Sequence, residues 1–123
     1  MWLWIVVVGG LAGCGSIEGE WSGECALSKG SQHFTYEVTS FEIEVGSGDK
    51  LEGSGEVLDP NNTLSRGDID GTQDGDEVDF LVRFTSGLDG EEMNFIGTVD
   101  GSKMEGECRK SSQYGRFELS RVQ

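Results

Sequence analysis

The stretch EVDFLVRFT, residues 77–85, carries the pattern on which the fold depends. Val78, Phe80, Val82 and Phe84 occupy every second position, and three of the five residues between and beside them are charged. Because successive side chains of a β-strand point to opposite faces, this period of two predicts a strand with one buried apolar face.

Further runs of the same kind are separated by turn residues at the regular spacing of a β-sandwich or barrel. Eight strands are predicted, over residues 17–25, 34–45, 50–58, 66–73, 77–85, 91–99, 103–109 and 115–122. In the second strand the apolar positions change phase near Thr39 and Ser40, which predicts a β-bulge. Because every connection is short enough to join neighbours, we predict an all-β, eight-stranded antiparallel up-and-down (meander) barrel over residues 17–123.

The composition excludes several kinds of partner. The chain has 23 acidic and 9 basic residues, and its formal net charge is -14. Since such a surface repels other polyanions, we predict no nucleic-acid partner. Twenty glycines and a single proline favour strands and tight turns. The length fits one domain, which we expect to be a monomer.

Two cysteines fall at matching places in this topology. Cys25 and Cys108 lie late in the first and seventh strands, on the inward face. Both strands run in the same direction, and only the eighth strand separates them in a meander. We therefore predict a Cys25–Cys108 disulfide, which an oxidising location outside the cytoplasm would favour. The alternative is two unpaired cysteines.

Loop lengths predict a polarity for the barrel. The connections are tight at one end, over residues 46–49, 75–76 and 100–102, and longer at the other, over residues 26–33, 59–65, 87–90 and 110–114. We predict that the long-loop end binds a small apolar or amphipathic ligand. The predicted ligand-binding residues are Trp21, Phe34, Tyr36, Phe80, Phe84, Phe95 and Arg116. The alternative is a packed structural or interaction module without a small ligand.

No motif in the chain predicts catalysis or a metal centre. His33 is the only histidine, and we expect it to be exposed, without a Ser or Cys partner in a catalytic triad. Residues 68–76 are acidic, but the glycine position does not fit an EF-hand, and a hairpin turn at Asp74-Gly75 explains them better. We predict a protein that is not an enzyme and uses no metal or cofactor.

The first fourteen residues, MWLWIVVVGGLAGC, are apolar and end in a cysteine. The run of Trp, Leu, Ile and Val over residues 2–8 is too short to cross a hydrocarbon core of about 30 Å. A short apolar run followed by small residues is typical of an export signal. There are two alternatives: a buried N-terminal strand or helix, and a secretory signal that is cut without lipidation.

The segment Leu11-Ala12-Gly13-Cys14 resembles the lipobox of bacterial lipoproteins. The resemblance implies a signal peptide over residues 1–13, lipidation of Cys14 and a lipidated tether over residues 14–16. It also implies that the protein is held to a membrane of the cell envelope by its lipid, by default the outer membrane. An envelope protein partner then becomes a possible binding partner.

Gly19-Glu20-Trp21, together with Arg121, resembles the Gly-x-Trp opening and closing arginine of lipocalins and the wider calycin barrels. In that family the Trp plugs the base of the barrel and the Arg packs over it. Residues 95–98, FIGT, resemble segments of the avidin group, whose tryptophan cage for biotin is missing here. Small periplasmic barrel inhibitors of bacterial metalloproteases are similar in size and opening. These resemblances imply a lipocalin/avidin-like barrel with a ligand-binding or an inhibitor-like role.

Overall fold

The computed structural model describes residues 17–88 and 90–122. The predicted signal peptide (residues 1–13), the tether (residues 14–16) and the lipidation site Cys14 lie outside the described residues. Within the described ranges there is no helix that is long and apolar enough to cross a membrane.

Eight antiparallel strands follow one another along the chain. They are β1 (Gly19–Lys29), β2 (Gln32–Val45), β3 (Lys50–Leu58), β4 (Leu64–Asp74), β5 (Glu77–Ser86), β6 (Glu92–Asp100), β7 (Lys103–Lys110) and β8 (Gln113–Arg121). Each strand pairs with the next, and β8 pairs with β1, so the sheet closes into a barrel. The predicted all-β, eight-stranded up-and-down barrel is confirmed.

The alternating sequence pattern places one face of each strand inside the barrel. In β5 the side chains of Val78, Phe80, Val82 and Phe84 are buried, whereas Asp79 and Arg83 on the other face are exposed to solvent. Burial of this apolar face is the main favourable contribution to folding. Closure also leaves no unpaired strand edge, which a flat sheet of the same strands would expose.

The predicted β-bulge in β2 is confirmed. The pairing of β2 with β3 shifts register between Val38 and Ser40, and its pairing with β1 shifts across the same residues. The Thr39 hydroxyl donates to the carbonyl oxygen of Glu56 at 3.1 Å and lies 2.9 Å from the carboxylate of the same residue. The extra residue returns Phe41 to the buried face that Val38 occupies.

The predicted disulfide joins Cys25 of β1 to Cys108 of β7. Both cysteines are buried, and β8 runs between them, with Phe117 opposite Cys25 and Gly115 opposite Cys108. The bond therefore ties together three neighbouring strands, including the two that close the barrel.

The predicted polarity of loop lengths is confirmed only in part. The two longest connections, residues 59–63 and 87–91, lie at the predicted long-loop end, but the other two connections at that end are short. β1 and β2 extend through most of the predicted loop at residues 26–33, and residues 30–31 alone connect them. Residues 111–112 alone connect β7 and β8. Positive φ angles at Gly30 (63°) and Ser111 (55°) permit these two-residue turns. We call this end, where β1–β2, β3–β4, β5–β6 and β7–β8 connect, the mouth, and the opposite end the base.

Glycines let β6 and β7 approach closely inside the barrel. Gly97 lies directly opposite Gly106. A Cβ atom added at Gly106 would overlap the carbonyl oxygen of Ile96 and the Cα atom of Gly97. Because both are backbone atoms, the two strands would have to separate to accept a side chain.

We expect Gly106→Ala to lower the free energy of unfolding by about 1–3 kcal/mol, the usual cost of overpacking. Urea unfolding of the variant and the wild type measures the difference. Gly46→Ala is the matched control, because a Cβ there meets the flexible Glu52 and Lys50 side chains. Equal losses in the two variants would show that close strand approach does not depend on Gly106.

Candidate functional site

Trp21 and Arg121 close the base of the barrel. Trp21 is fully buried, and its Nε1–H donates to the carbonyl oxygen of Ile17 at 2.7 Å. The Arg121 guanidinium lies over the indole, with Cζ 4.4 Å from the ring centroid, a favourable cation–π geometry. It also donates to the carbonyl oxygens of Glu18 and Gly101. Trp21 therefore lies at the base, away from the mouth where a ligand was predicted.

Four phenylalanine rings fill the middle of the barrel. The Phe95 ring stacks on Phe80, with centroids 5.1 Å apart. It also meets Phe41 and Phe117 edge to face, at 5.2 and 5.1 Å. These are the arrangements that aromatic pairs prefer. Because Phe80 and Phe95 take part in this packing, a ligand would be confined to the layer between the rings and the mouth.

The layer next to the mouth, which we call the mouth layer, combines Phe34, Tyr36, Phe84, Leu88 and Lys110. Phe84 and Tyr36 are buried, and Phe34 is half-buried against the core. Leu88, from the β5–β6 connection, packs against the same core. Its backbone N–H donates to the hydroxyl of buried Ser65 at 3.0 Å, which holds that connection over the mouth.

Lys110, the last residue of β7, is buried at the mouth with only 8% of its surface exposed. Its Nζ lies 2.5 Å from Oε1 of Glu91 and 6.0 Å from the centroid of the Tyr36 ring. Removing an ammonium from water is costly unless it is paired and hydrogen-bonded. Glu91 and Tyr36 therefore explain how Lys110 remains charged in an otherwise apolar layer.

Burial raises the pKa of the Tyr36 hydroxyl, and the charge of Lys110 and its hydrogen bond offset that rise only in part. For Lys110 itself, burial acts to lower the pKa, but the hydrogen bond to Glu91 and the neighbouring charges outweigh burial and raise it. At neutral pH the mouth layer therefore contains an ammonium and a neutral phenol.

We expect the free energy of unfolding to fall as the pH rises above about 10. The ordinary pKa values of Tyr36 and Lys110 are 10.0 and 10.5, and folding raises both. In this range the unfolded chain binds fewer protons than the folded chain, so alkaline pH favours unfolding. Urea unfolding at a series of pH values checks this expectation. Tyr36→Phe should flatten the decline, because it removes one titrating group and the contacts through which Tyr36 raises the pKa of Lys110, whereas Tyr114→Phe, at an exposed ring, should leave it unchanged.

Arg116 lies on the outer face of the barrel, apart from the other predicted ligand-binding residues. It is exposed on β8, opposite Glu107 of β7 and Ala26 of β1. Inward positions of β8 are those of Phe117 and Leu119, so the alternation of a strand directs residue 116 outward. The structure thus does not bring Arg116 together with the aromatic residues of the mouth layer.

An open depression of about 580 Å³ lies on the outer face of β6, β7 and β8. Its lining includes Arg116, Arg109, Tyr114 and Ile96. Tyr114 is 59% exposed, and the Arg109 guanidinium lies 6.0 Å from the centroid of its ring. Tyrosine and arginine are enriched where proteins bind one another, so this face offers a surface for a protein contact.

His33 lies on β2 rather than in a loop, and its side chain is exposed as predicted. Its Nδ1 lies 3.1 Å from Oγ of Ser28, its cross-strand neighbour on β1. Residues 26–33 form a hairpin rather than the predicted loop, and this hairpin brings the two side chains together. Among the described residues, no carboxylate hydrogen-bonds to His33 to complete a triad.

The acidic segment at residues 68–76 forms the end of β4 and a hairpin. Asp68 and Asp70 point outward, and Asp70 lies 3.4 Å from Nζ of Lys50. The turn is at Gly75-Asp76, the predicted tight connection, and one residue later than the turn inferred at Asp74-Gly75. Across the described ranges, no three His, Cys, Asp or Glu side chains are grouped so that they could hold a metal ion.

These features define a class of protein, a closed eight-stranded antiparallel barrel with an aromatic centre and a buried lysine at its mouth. No protein-family model and no curated protein sequence matches the chain. Among solved structures, the chain is similar to a redesigned β-barrel, mFAP1, bound to DFHBI. The TM-score is 0.69 at 13% identity, over 86% of this chain and 94% of that one. At this identity the likeness shows the fold alone.

Proposed function

We propose that this protein is a lipid-anchored barrel of the cell envelope that binds a small apolar or amphipathic molecule in its mouth layer. The observation that carries the proposal is the buried Lys110 ammonium among aromatic and aliphatic side chains. Ligand sites are typically apolar and contain a few converging polar groups. The similar barrel mFAP1 was solved bound to DFHBI, which supports ligand binding by a barrel of this fold.

The ring packing beneath the mouth layer limits the depth of the proposed site. Val82 and Met93, which pair across β5 and β6 between the Phe80–Phe95 stack and the mouth, are fully buried and form its floor. Leu88 and Glu91 cover it from the β5–β6 connection. A ligand must displace these two side chains to enter. We therefore expect it to contact only the upper part of the interior, with one end close to solvent.

Native mass spectrometry tests the binding proposal. The Cys14→Ser chain, exported without lipid and purified from its own host, should carry an extra mass of a few hundred daltons that leaves on denaturation. Phe84→Trp fills the mouth layer and should remove this mass, whereas Ile96→Trp on the outer face should retain it. A bare mass in the parent Cys14→Ser chain would count against ligand binding.

The lipid anchor is supported by residues 11–14, the segment that resembles a lipobox. Because β1 begins at Gly19, close to Cys14 along the chain, the base would face the membrane and the mouth would face away from it. Wild-type cells should incorporate labelled palmitate into the protein and retain it in the membrane fraction. Cys14→Ser should lose both properties, and equal membrane retention of the two chains would contradict the anchor.

A packed interaction module is the second candidate function. Two observations favour it: the phenylalanine rings fill the middle of the barrel, and the outer depression exposes Tyr114 beside Arg109. This protein would then present its outer face to another envelope protein. A bare mass of the parent chain in the native spectrum is the result that would favour this module over the ligand-binding barrel.

A further inference from the structure

The ion pair at the mouth consists of one side chain that is held in place and one that is free to leave. Lys110 exposes 9% of its side chain, whereas Glu91 exposes 43%. The backbone of Glu91 is fixed, because its N–H donates to the Leu88 carbonyl at 2.9 Å and its carbonyl accepts from the Phe84 N–H at 3.0 Å. The Glu91 carboxylate can therefore rotate into solvent without movement of the backbone.

If Glu91 rotates away, the Lys110 ammonium remains buried without its carboxylate. An unpaired buried charge is strongly unfavourable, so a second carboxylate in the vacated position would restore the lost stabilisation. Tyr36 can contribute as well. Lys110 Nζ lies 6.0 Å from the centroid of its ring, and a phenol O–H can donate a hydrogen bond to an incoming anion.

We propose that the ligand of the mouth layer is an amphipathic monocarboxylate whose head group replaces the Glu91 carboxylate on Lys110. This inference rests on the proposed ligand-binding function and specifies the class of ligand. The apolar part of the ligand contacts Phe34, Phe84 and Leu88, which border the same layer. A neutral analogue that displaces Glu91 leaves the ammonium unpaired, so the site discriminates against it.

The net charge of -14 does not prevent such a ligand from binding. At physiological ionic strength the Debye length is about 8 Å, so most of the distant surface carboxylates are screened. The buried contact with Lys110 is screened much less than the surface charges. The local ammonium, rather than the overall charge, therefore decides the preference for a carboxylate.

Isothermal titration calorimetry with decanoate and decan-1-ol tests the inference on the soluble Cys14→Ser chain. We expect decanoate to bind at least about tenfold more tightly, the effect of one hydrogen bond to a charged group. Lys110→Met should abolish this preference, because it removes the partner of the carboxylate and also the unpaired ammonium that disfavours decan-1-ol. Lys103→Met makes the same substitution at the exposed base end of β7 and should change neither affinity.

Glu91→Gln removes the competing carboxylate and keeps the size of the side chain. We expect it to tighten decanoate binding by about two- to fivefold, the effect of losing a partly exposed ion pair. Glu105→Gln, on the outward face of β7, is the control and should have no effect. Thermal unfolding of each variant without ligand establishes that it is folded before titration.

The outcomes separate the inference from the proposed function. Equal affinities for decanoate and decan-1-ol, retained in Lys110→Met, would overturn the carboxylate inference and leave ligand binding in place. Weaker decanoate binding by Glu91→Gln would also overturn it. The Glu91 carboxylate would then support ligand binding rather than compete with the ligand for Lys110. If neither probe binds to any folded variant, the inference and the proposed function both fail.

Discussion

Loss of the Cys25–Cys108 disulfide is expected to lower the free energy of unfolding by about 4.5 kcal/mol. The two cysteines are 83 residues apart in sequence, so the bond removes much conformational freedom from the unfolded chain. The free energy of unfolding of an ordinary domain is only about 5–15 kcal/mol. Unfolding in guanidinium chloride of the Cys25→Ala/Cys108→Ala double variant and its parent, both with Cys14→Ser, measures the loss.

The parent chain in excess reducing agent is the matched control for the double variant. It should lose a similar amount of stability, whereas the reducing agent should not affect the double variant. A loss below about 1 kcal/mol in both comparisons would contradict the expectation. In that case, the hydrogen-bonded pairing of β1, β8 and β7 would stabilise this part of the barrel without help from the covalent bond.

The barrel topology can be predicted because strand periodicity and short connections both depend on residues that are close together in the sequence. The alternation around Phe80 and Phe84 identifies a strand with one buried face, and the phase change near Thr39 identifies the bulge. β4 was less clear, because two of its buried positions are Ser65 and Gly67. Because neither residue contributes to an apolar pattern, the predicted strand starts two residues after the observed start of β4.

The ends of the strands at the mouth were harder to predict. In the β1–β2 hairpin, Ser28 pairs with His33 and Lys29 with Gln32. Polar residues of these types are also common in loops, so composition alone does not distinguish an exposed hairpin from a loop. The hairpin is defined by backbone pairing and by the positive φ at Gly30. A glycine can adopt a positive φ, but its presence in the sequence does not show that it does so.

The buried lysine was missed although the sequence contains a signal for it. Lys110 continues the inward alternation of Met104 and Cys108 in β7, whereas the predicted connection at residues 110–114 includes it. The same alternation in β8 directs Arg116 outward. Burial of Lys110 also depends on Glu91, which approaches it only after the barrel has closed, so periodicity alone predicts the position but not the ion pair.

Phe95→Ala is expected to lower the free energy of unfolding by about 3–5 kcal/mol, the range for loss of a buried phenylalanine. The ring is fully buried and contacts three others, Phe41, Phe80 and Phe117. Its removal leaves a cavity. The strands cannot readily move inward to fill it, because each is hydrogen-bonded to a neighbour on both sides in the closed barrel. Urea unfolding of this variant and of Phe34→Ala, which removes a half-buried ring, compares the loss of stability at the centre of the barrel with the loss near the mouth.

The same variant shows whether the aromatic centre limits the depth of the binding site. A cavity lined by phenylalanine rings is dry and can accept benzene, so benzene should raise the melting temperature of Phe95→Ala but not of the wild type. Phe95→Leu leaves a smaller cavity and should respond less. If wild type and Phe95→Ala respond alike, the wild-type interior already has accessible space beneath the mouth layer. The ring packing would then not limit the depth of the site.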